Sequence, residues 1–124
     1  MNIIISNSSG EPIYAQIEKQ IKDEILMNKL EANEPLPSIR ALAKELRISV
    51  ITTKRAYEEL EREGFIYTVP GKGSFVSVQD KKMVRETIIK DVEEFLIKAI
   101  KEGNKINLSL EEMLKLLEEL YDKK

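Results

Sequence analysis

The chain contains no cysteine and no histidine. Without cysteine there is no disulfide framework and no thiolate metal site. Without histidine there is no Ser-His triad, no imidazole general base and no His-ligated metal. The catalytic options shrink to carboxylates, lysine, tyrosine and serine, and no grouping of these reads as a site. Glu93 and Glu94 are adjacent on a helix, so their carboxylates do not converge. Neither an enzyme nor a cofactor is expected. Long apolar runs are missing too: none approaches the ~20 residues of a membrane-spanning helix. The opening MNIIISNSSGEPIY has no basic region before its apolar run, so it does not read as a signal peptide. A cytoplasmic location and no membrane partner are the expectation.

A strong charge of one sign is also missing. The 124 residues carry 20 Lys and Arg against 22 Asp and Glu, for a net charge of −2. That balance argues at first against nucleic acid. Its distribution softens the argument. From Leu36 to Val76 there are seven cations against five carboxylates; before that stretch the count is three against six, and after it ten against eleven. The middle of the chain is the basic part.

Turning to what is present, residues Met1 to Ser9 read as extended or frayed. Pro12 suits the first turn of a helix, where its missing N–H costs nothing. Ile13, Ile17, Ile21 and Ile25 recur every four residues and form one apolar stripe, which predicts a helix ending near Asn28. Ala32 to Pro37 reads as a loop, because Pro35 and Pro37 each disfavour helix in the residue before them. Ser38 is an N-cap for a helix carrying Leu42, Ala43 and Leu46. Arg47 and Ile48 form a short turn. Ser49 caps a longer helix, with its oxygen in reach of the Thr52 N–H. Thr53, Ala56, Tyr57 and Leu60 face inward, with the Tyr57 hydroxyl at the rim. Ile51, Arg55, Glu58 and Arg62 face outward. Gly64 supplies the left-handed residue that stops the helix.

Phe65 to Val69 and Ser74 to Val78 read as two strands. Val69-Pro70-Gly71-Lys72 between them suits a type II turn. Lys81 to Glu102 reads as a long helix carrying Val84, Ile88, Val92, Phe95, Leu96 and Ala99, broken at Gly103 and Asn104. Ser109 and Glu112 form a capping box for a last helix. Leu110, Met113, Leu114, Leu117, Leu120 and Tyr121 give it an apolar face. Met83 and Met113 read as packing residues. The fold class is mainly α with a small β wing: a winged helix-turn-helix over 1–78 and a two-helix tail over 79–124.

The ordered set PIYAQIEKQIKDEIL, LPSIRALAKELRIS, RAYEELEREGFI and GKGSFV resembles the N-terminal domain of GntR-type bacterial transcription regulators. The likeness runs from about Glu11 to Val78. The short tail resembles the YtrA-like subfamily, in which the tail serves dimerisation. The resemblance implies a DNA-binding regulator, read as a repressor, with double-stranded operator DNA and a second copy of itself as partners. Transporter genes are the target it suggests. A small-molecule effector could lodge between subunits, though the tail is too short to enclose a large pocket.

The resemblance also assigns roles. Arg40, in the family's PSxR motif, reaches a phosphate or a base edge, and Ser38 touches the backbone while capping. Ser49, Thr52 and the free N–H groups of their helix seat a phosphate. Lys54 contacts the backbone, and Gly71 and Lys72 form the wing tip. Arg55 is counted with this set. The duller alternatives are ion pairs: Arg40 with Glu45, and Arg55 and Arg62 with Glu58 and Glu59. The sequence departs from the family after Ser49, where an arginine that reads guanine is common. Here stand Val50 and Ile51, expected to meet thymine methyls. Arg47 and Asn33 replace common glycines, and Pro70 replaces a polar wing residue.

The apolar faces of the two tail helices need cover. Val92, Phe95, Leu96, Ala99, Leu110, Met113, Leu114, Leu117, Leu120 and Tyr121 are the expected dimer contacts, either through a partner copy or by folding back. A two-fold dimer predicts a palindromic operator. The competing reading is a winged-helix protein-interaction module that never touches DNA.

Overall fold

The computed structural model describes residues 1–123. It divides into two compact units, Met1–Asp80 and the segment from Lys81 onward. The described residues form α1 (Ile13–Leu26), α2 (Ile39–Leu46), α3 (Val50–Arg62), β1 (Ile66–Val69), β2 (Gly73–Val76), α4 (Lys81–Gly103) and α5 (Leu110–Asp122). A single 3-10 turn, Asn104–Ile106, follows α4.

The core of the first unit follows from the isoleucine stripe. Ile17, Ile21 and Ile25 are buried against Leu42 of α2 and Ala56, Tyr57 and Leu60 of α3. Leu30, Leu36, Ile66 and Val76 close the remaining sides. Each such side chain contributes roughly 1.5–3 kcal/mol on burial. Ile13 is only partly buried, because it lies at the open end of the stripe.

Four chain reversals share one solution. After α3, the Gly64 N–H donates to the Glu61 carbonyl (3.0 Å) and the Phe65 N–H to the Leu60 carbonyl (2.9 Å), with Gly64 at φ +82°. This is a Schellman motif, which satisfies carbonyls that the helix itself leaves open. Asn28, Arg47 and Asn107 occupy the same left-handed position after α1, α2 and the 3-10 turn, at φ 59°, 57° and 53°. α4 ends at Gly103, at the expected break, and Asn107 ends the 3-10 turn that follows it. Gly103 stays helical, and a Cβ there would come within 3.2 Å of Leu108.

Four local expectations change. Pro12 is the N-cap residue of α1, at ψ 145°, and not its first helical residue. The N-terminal segment is extended to Ser6, bends over Asn7 to Ser9, and is not frayed. Gln20 bonds the Ile4 N–H and carbonyl at 2.9 and 2.8 Å, and Gln16 does the same for Ser6 at 2.8 Å each. Four residues along a helix and two along an extended chain both advance about 6 Å, so two side-chain amides match alternate backbone amides. Ile3 and Ile5 are thereby held on the core.

The loop before α2 is also more regular than a loop. Pro35 bridges Phe75, the Asn33 N–H reaches the Val76 carbonyl (2.7 Å), and the Leu36 N–H reaches the Ser74 carbonyl (2.9 Å). Each proline forces its predecessor into extended backbone, and extended backbone is what a strand edge can accept. The hairpin itself pairs Ile66 with Val76 and Val69 with Gly73. Its first strand starts one residue later than expected, and its second starts one residue earlier and ends two earlier, so Val78 lies outside it and exposed.

In the second unit, Ser109 accepts the Glu112 N–H at 3.1 Å and Glu112 accepts the Ser109 N–H at 3.2 Å, which completes the capping box. Neither α4 nor α5 buries a residue.

Candidate nucleic-acid interface

The helix pair begins at Ser38, whose Oγ accepts the Ala41 N–H at 3.0 Å. Tyr57 donates its hydroxyl to the Pro37 carbonyl at 2.7 Å, tying α3 to the start of α2. The hydroxyl sits deeper than the rim position expected for it: Tyr57 is buried, and burial pushes its ionisation well above the ordinary phenol value. Arg47 turns the chain, and Ser49 then caps α3. The Ser49 Oγ accepts the Thr52 N–H at 3.0 Å and donates to the Thr52 Oγ1 at 2.8 Å. Thr53 is fully buried and donates to the Ser49 carbonyl (3.1 Å).

On the outer face, Val50 is 45% and Ile51 81% exposed at the first two positions of α3. Apolar side chains held in water at a helix start gain nothing from the fold. Around them, Pro35 to Tyr57 carries five cations and one carboxylate, Glu45. That concentration is diluted when charge is counted over the longer stretch to Val76. Arg40, Lys44, Arg47, Lys54 and Lys72 are exposed, and none has an ion-pair partner among the described residues. The alternative pairing of Arg40 with Glu45 is therefore not made. Arg62 does pair with Glu59. Arg55 pairs with neither Glu58 nor Glu59. Its guanidinium lies 3.8 Å from the centre of the Tyr14 ring and donates to the Tyr14 hydroxyl at 3.2 Å.

The wing tip is a type II turn. Gly71 takes φ +78° and the Lys72 N–H returns to the Val69 carbonyl at 2.9 Å. The wing is braced from below: Tyr67 stacks on Phe75 at 5.6 Å and donates to Asn33 Oδ1 at 2.8 Å. Asn33, at φ 68°, thus fills a position where glycine is common and adds an anchor that glycine lacks.

The far end of α1 and α3 is acidic. Lys22 Nζ lies 3.5 Å from Glu18 and 3.2 Å from Glu63. Burial, and then the hydrogen bond with Glu63, push the Glu18 carboxyl up. The same bond from Glu18, and then Lys22, hold the Glu63 carboxyl down. The fold thus eases protonation of Glu18 and opposes that of Glu63. No group of three or more acidic residues placed to hold a metal occurs among the described residues. None of the described helices is long and apolar enough to cross a membrane.

The ten expected dimer contacts divide simply. Val92, Phe95, Leu96, Ala99, Leu110, Leu114, Leu117, Leu120 and Tyr121 are exposed in the single chain, and Met113 is partly covered. Residues the sequence reading missed are Tyr14, Gln16 and Gln20; for Asn33 it lacks only the bond to Tyr67. Gln16 and Gln20 stand four apart beside the alternating Ile3 and Ile5, which is the one pattern that hints at the amide clamp.

Comparison with known proteins accounts for this arrangement. The family of bacterial regulatory proteins called gntR matches residues 13–76. The HTH-type transcriptional repressor YtrA of Bacillus subtilis (strain 168) is 33% identical over 118 residues, spanning 95% of this chain and 91% of that one. A transcriptional regulator from Oenococcus oeni has the same fold, with a TM-score of 0.78 at 30% identity over 94% of this chain and 97% of its own. AraR(DBD), solved in complex with operator ORX1, matches 62% of this chain and 96% of its own at 25% identity and a TM-score of 0.55. Winged helix, short helical tail and matched length together show that this chain belongs to the GntR family of bacterial regulatory proteins.

Proposed function

We propose that this protein is a transcription repressor that binds a palindromic operator as a homodimer and catalyses no reaction. One observation carries the DNA-binding part. The cations Arg40, Lys44, Arg47 and Lys54 flank the Ser49-capped start of α3 in the sequence, exposed and without an ion-pair partner among the described residues. Cations left unpaired on one face have their charge free for phosphate oxygens, and the helix start adds N–H donors. Ser38, Ser49 and Thr52 supply hydroxyls, and the wing tip at Gly71 and Lys72 reaches along the backbone. The AraR(DBD) operator complex supports reading this fold as a DNA binder, and the name of YtrA supports repression. A cytoplasmic location follows from that role.

Val50 and Ile51 are assigned to thymine methyls, since apolar contact is what a thymine C5 methyl offers in the major groove. The unburied faces of α4 and α5 are assigned to a second copy, with Phe95 and Leu117 near the centre. A two-fold dimer carries two recognition helices, so half-sites repeat at about one turn of DNA or a multiple of it.

Selection of bound duplexes from random DNA tests the whole reading. The expected result is a palindromic consensus, rich in A·T where α3 docks, and lost when Arg40→Ala is used instead. Failure to enrich any sequence contradicts the reading and favours a winged-helix module that binds protein.

A further inference from the structure

Three cations lie over aromatic rings among the described residues: Lys22 on Phe65 at 5.1 Å, Arg55 on Tyr14 at 3.8 Å and Lys98 on Phe95 at 5.6 Å. Lys22 is neutralised by Glu18 and Glu63. Arg55 differs. Its guanidinium is both stacked on Tyr14 and bonded to the Tyr14 hydroxyl at 3.2 Å, and no carboxylate lies in ion-pair range. The contact therefore fixes the side chain without cancelling its charge.

The placement of this pair is informative. Tyr14 meets Arg55, and Lys22 meets Glu63 eight residues further along both helices. The two helices therefore run side by side in the same direction, and the first turns of α1 flank the first turns of α3. Arg55 stands four residues after the exposed Ile51, so both occupy one stripe of α3, next to Lys54. No acidic residue lies between Arg47 and Tyr57.

We propose that Tyr14 is a positioning residue that holds Arg55 ready for an operator phosphate. This inference rests on the DNA-binding reading above and adds a residue outside the helix-turn-helix to its machinery. A free arginine side chain loses rotamer freedom when it binds. A guanidinium already stacked on a ring has lost most of that freedom in the unbound protein, and its remaining N–H groups still match a phosphate. The ring also limits where the charge can go, so Arg55 acts on the strand beside α1 and not on the bases under Val50.

The test uses the full chain and a duplex recovered by selection, with affinity measured over a range of salt. Arg55→Gln is expected to weaken binding roughly tenfold or more. It should also flatten the slope of log affinity against log salt by about 0.9 for each lost phosphate contact. Tyr14→Leu should weaken binding about two- to tenfold per subunit, the cost of ordering a long side chain on binding. Tyr14→Phe, which keeps the stack and loses the hydroxyl, should fall between Tyr14→Leu and the parent chain. In the Arg55→Gln background, Tyr14→Leu should cost nothing further. The Arg55 Nε–H resonance should be shifted upfield by the ring in the free protein, and return on Tyr14→Leu while the rest of the amide spectrum stays folded. An unchanged affinity and salt slope in Arg55→Gln would overturn the inference. So would an equal loss from Tyr14→Leu in both backgrounds, which would mark Tyr14 as merely structural. If Arg40→Ala weakens binding while Arg55→Gln does not, only this inference falls. If the parent chain shows no salt-dependent binding, the DNA-binding reading falls and this one with it.

Discussion

Replacing Gln16 by alanine should release the first nine residues and cost more than any surface change. Gln16 is 8% exposed. Its Oε1 accepts the Ser6 N–H at 2.8 Å, and its Nε2 donates to the carbonyls of Ser6 (2.8 Å) and Glu11 (2.9 Å) and to Ser9 Oγ (3.2 Å). Each such bond is worth about 0.5–1.5 kcal/mol net. Ser6, Ser9 and Glu11 are exposed, so water can take over their freed groups, which discounts the sum. A loss of about 2–3 kcal/mol results, since Ile3 and Ile5 also lose part of their cover. For a unit of this size that lowers the melting temperature by roughly 10–20 °C. The assay is thermal unfolding at fixed protein concentration, with hydrogen exchange at Ser6. Gln20→Ala removes only the exposed pair to Ile4 and should cost under about 1 kcal/mol. A loss under about 0.5 kcal/mol for Gln16→Ala, with Ser6 exchange unchanged, would refute the clamp.

Other outcomes follow from the same geometry. Arg47→Gly removes a side chain from left-handed backbone, and after the added freedom of the unfolded glycine the gain should be about 0.5–1 kcal/mol; destabilisation in urea unfolding would show that the Arg47 side chain packs usefully. Glu18→Gln mimics the protonated form that the fold favours. A raised carboxyl contributes stability below its ordinary value of 4.5 and loses it as pH rises, while the lowered Glu63 does the reverse. The variant should therefore gain stability at neutral pH and match the parent chain below about pH 4; a gain equal at both pH values would contradict the raised Glu18 carboxyl. Combined Phe95→Ala and Leu117→Ala should yield monomers by light scattering with much weaker operator binding, and an unchanged mass would remove α4 and α5 from the dimer contact.

The parts that could be read from sequence are those set by local chemistry. Ser38, Ser49 and Ser109 read as caps because a hydroxyl before an apolar-periodic run has a backbone N–H to accept. Gly64 and the Pro70-Gly71 turn followed from backbone angles that few residues adopt. What escaped depends on contacts distant in the chain. Tyr14 reaches Arg55 across 41 positions, and Tyr67 reaches Asn33 across 34. Arginine beside two glutamates reads as an ion pair until the fold brings a ring closer. The strand-like pairing of Pro35 with Phe75 escapes because proline signals a helix break in the sequence, while the extended backbone it enforces, which an edge also needs, shows only once a strand lies beside it.

The central claim is that the unpaired cations around α3 meet DNA phosphates. The most direct measurement is the affinity for a selected duplex against salt concentration, for the parent chain and for Lys54→Ala. The account predicts a steep fall with salt and a slope shallower by about 0.9 for each phosphate contact that the variant loses. Affinity that is flat with salt, or a slope unchanged by Lys54→Ala and Arg40→Ala together, would contradict it.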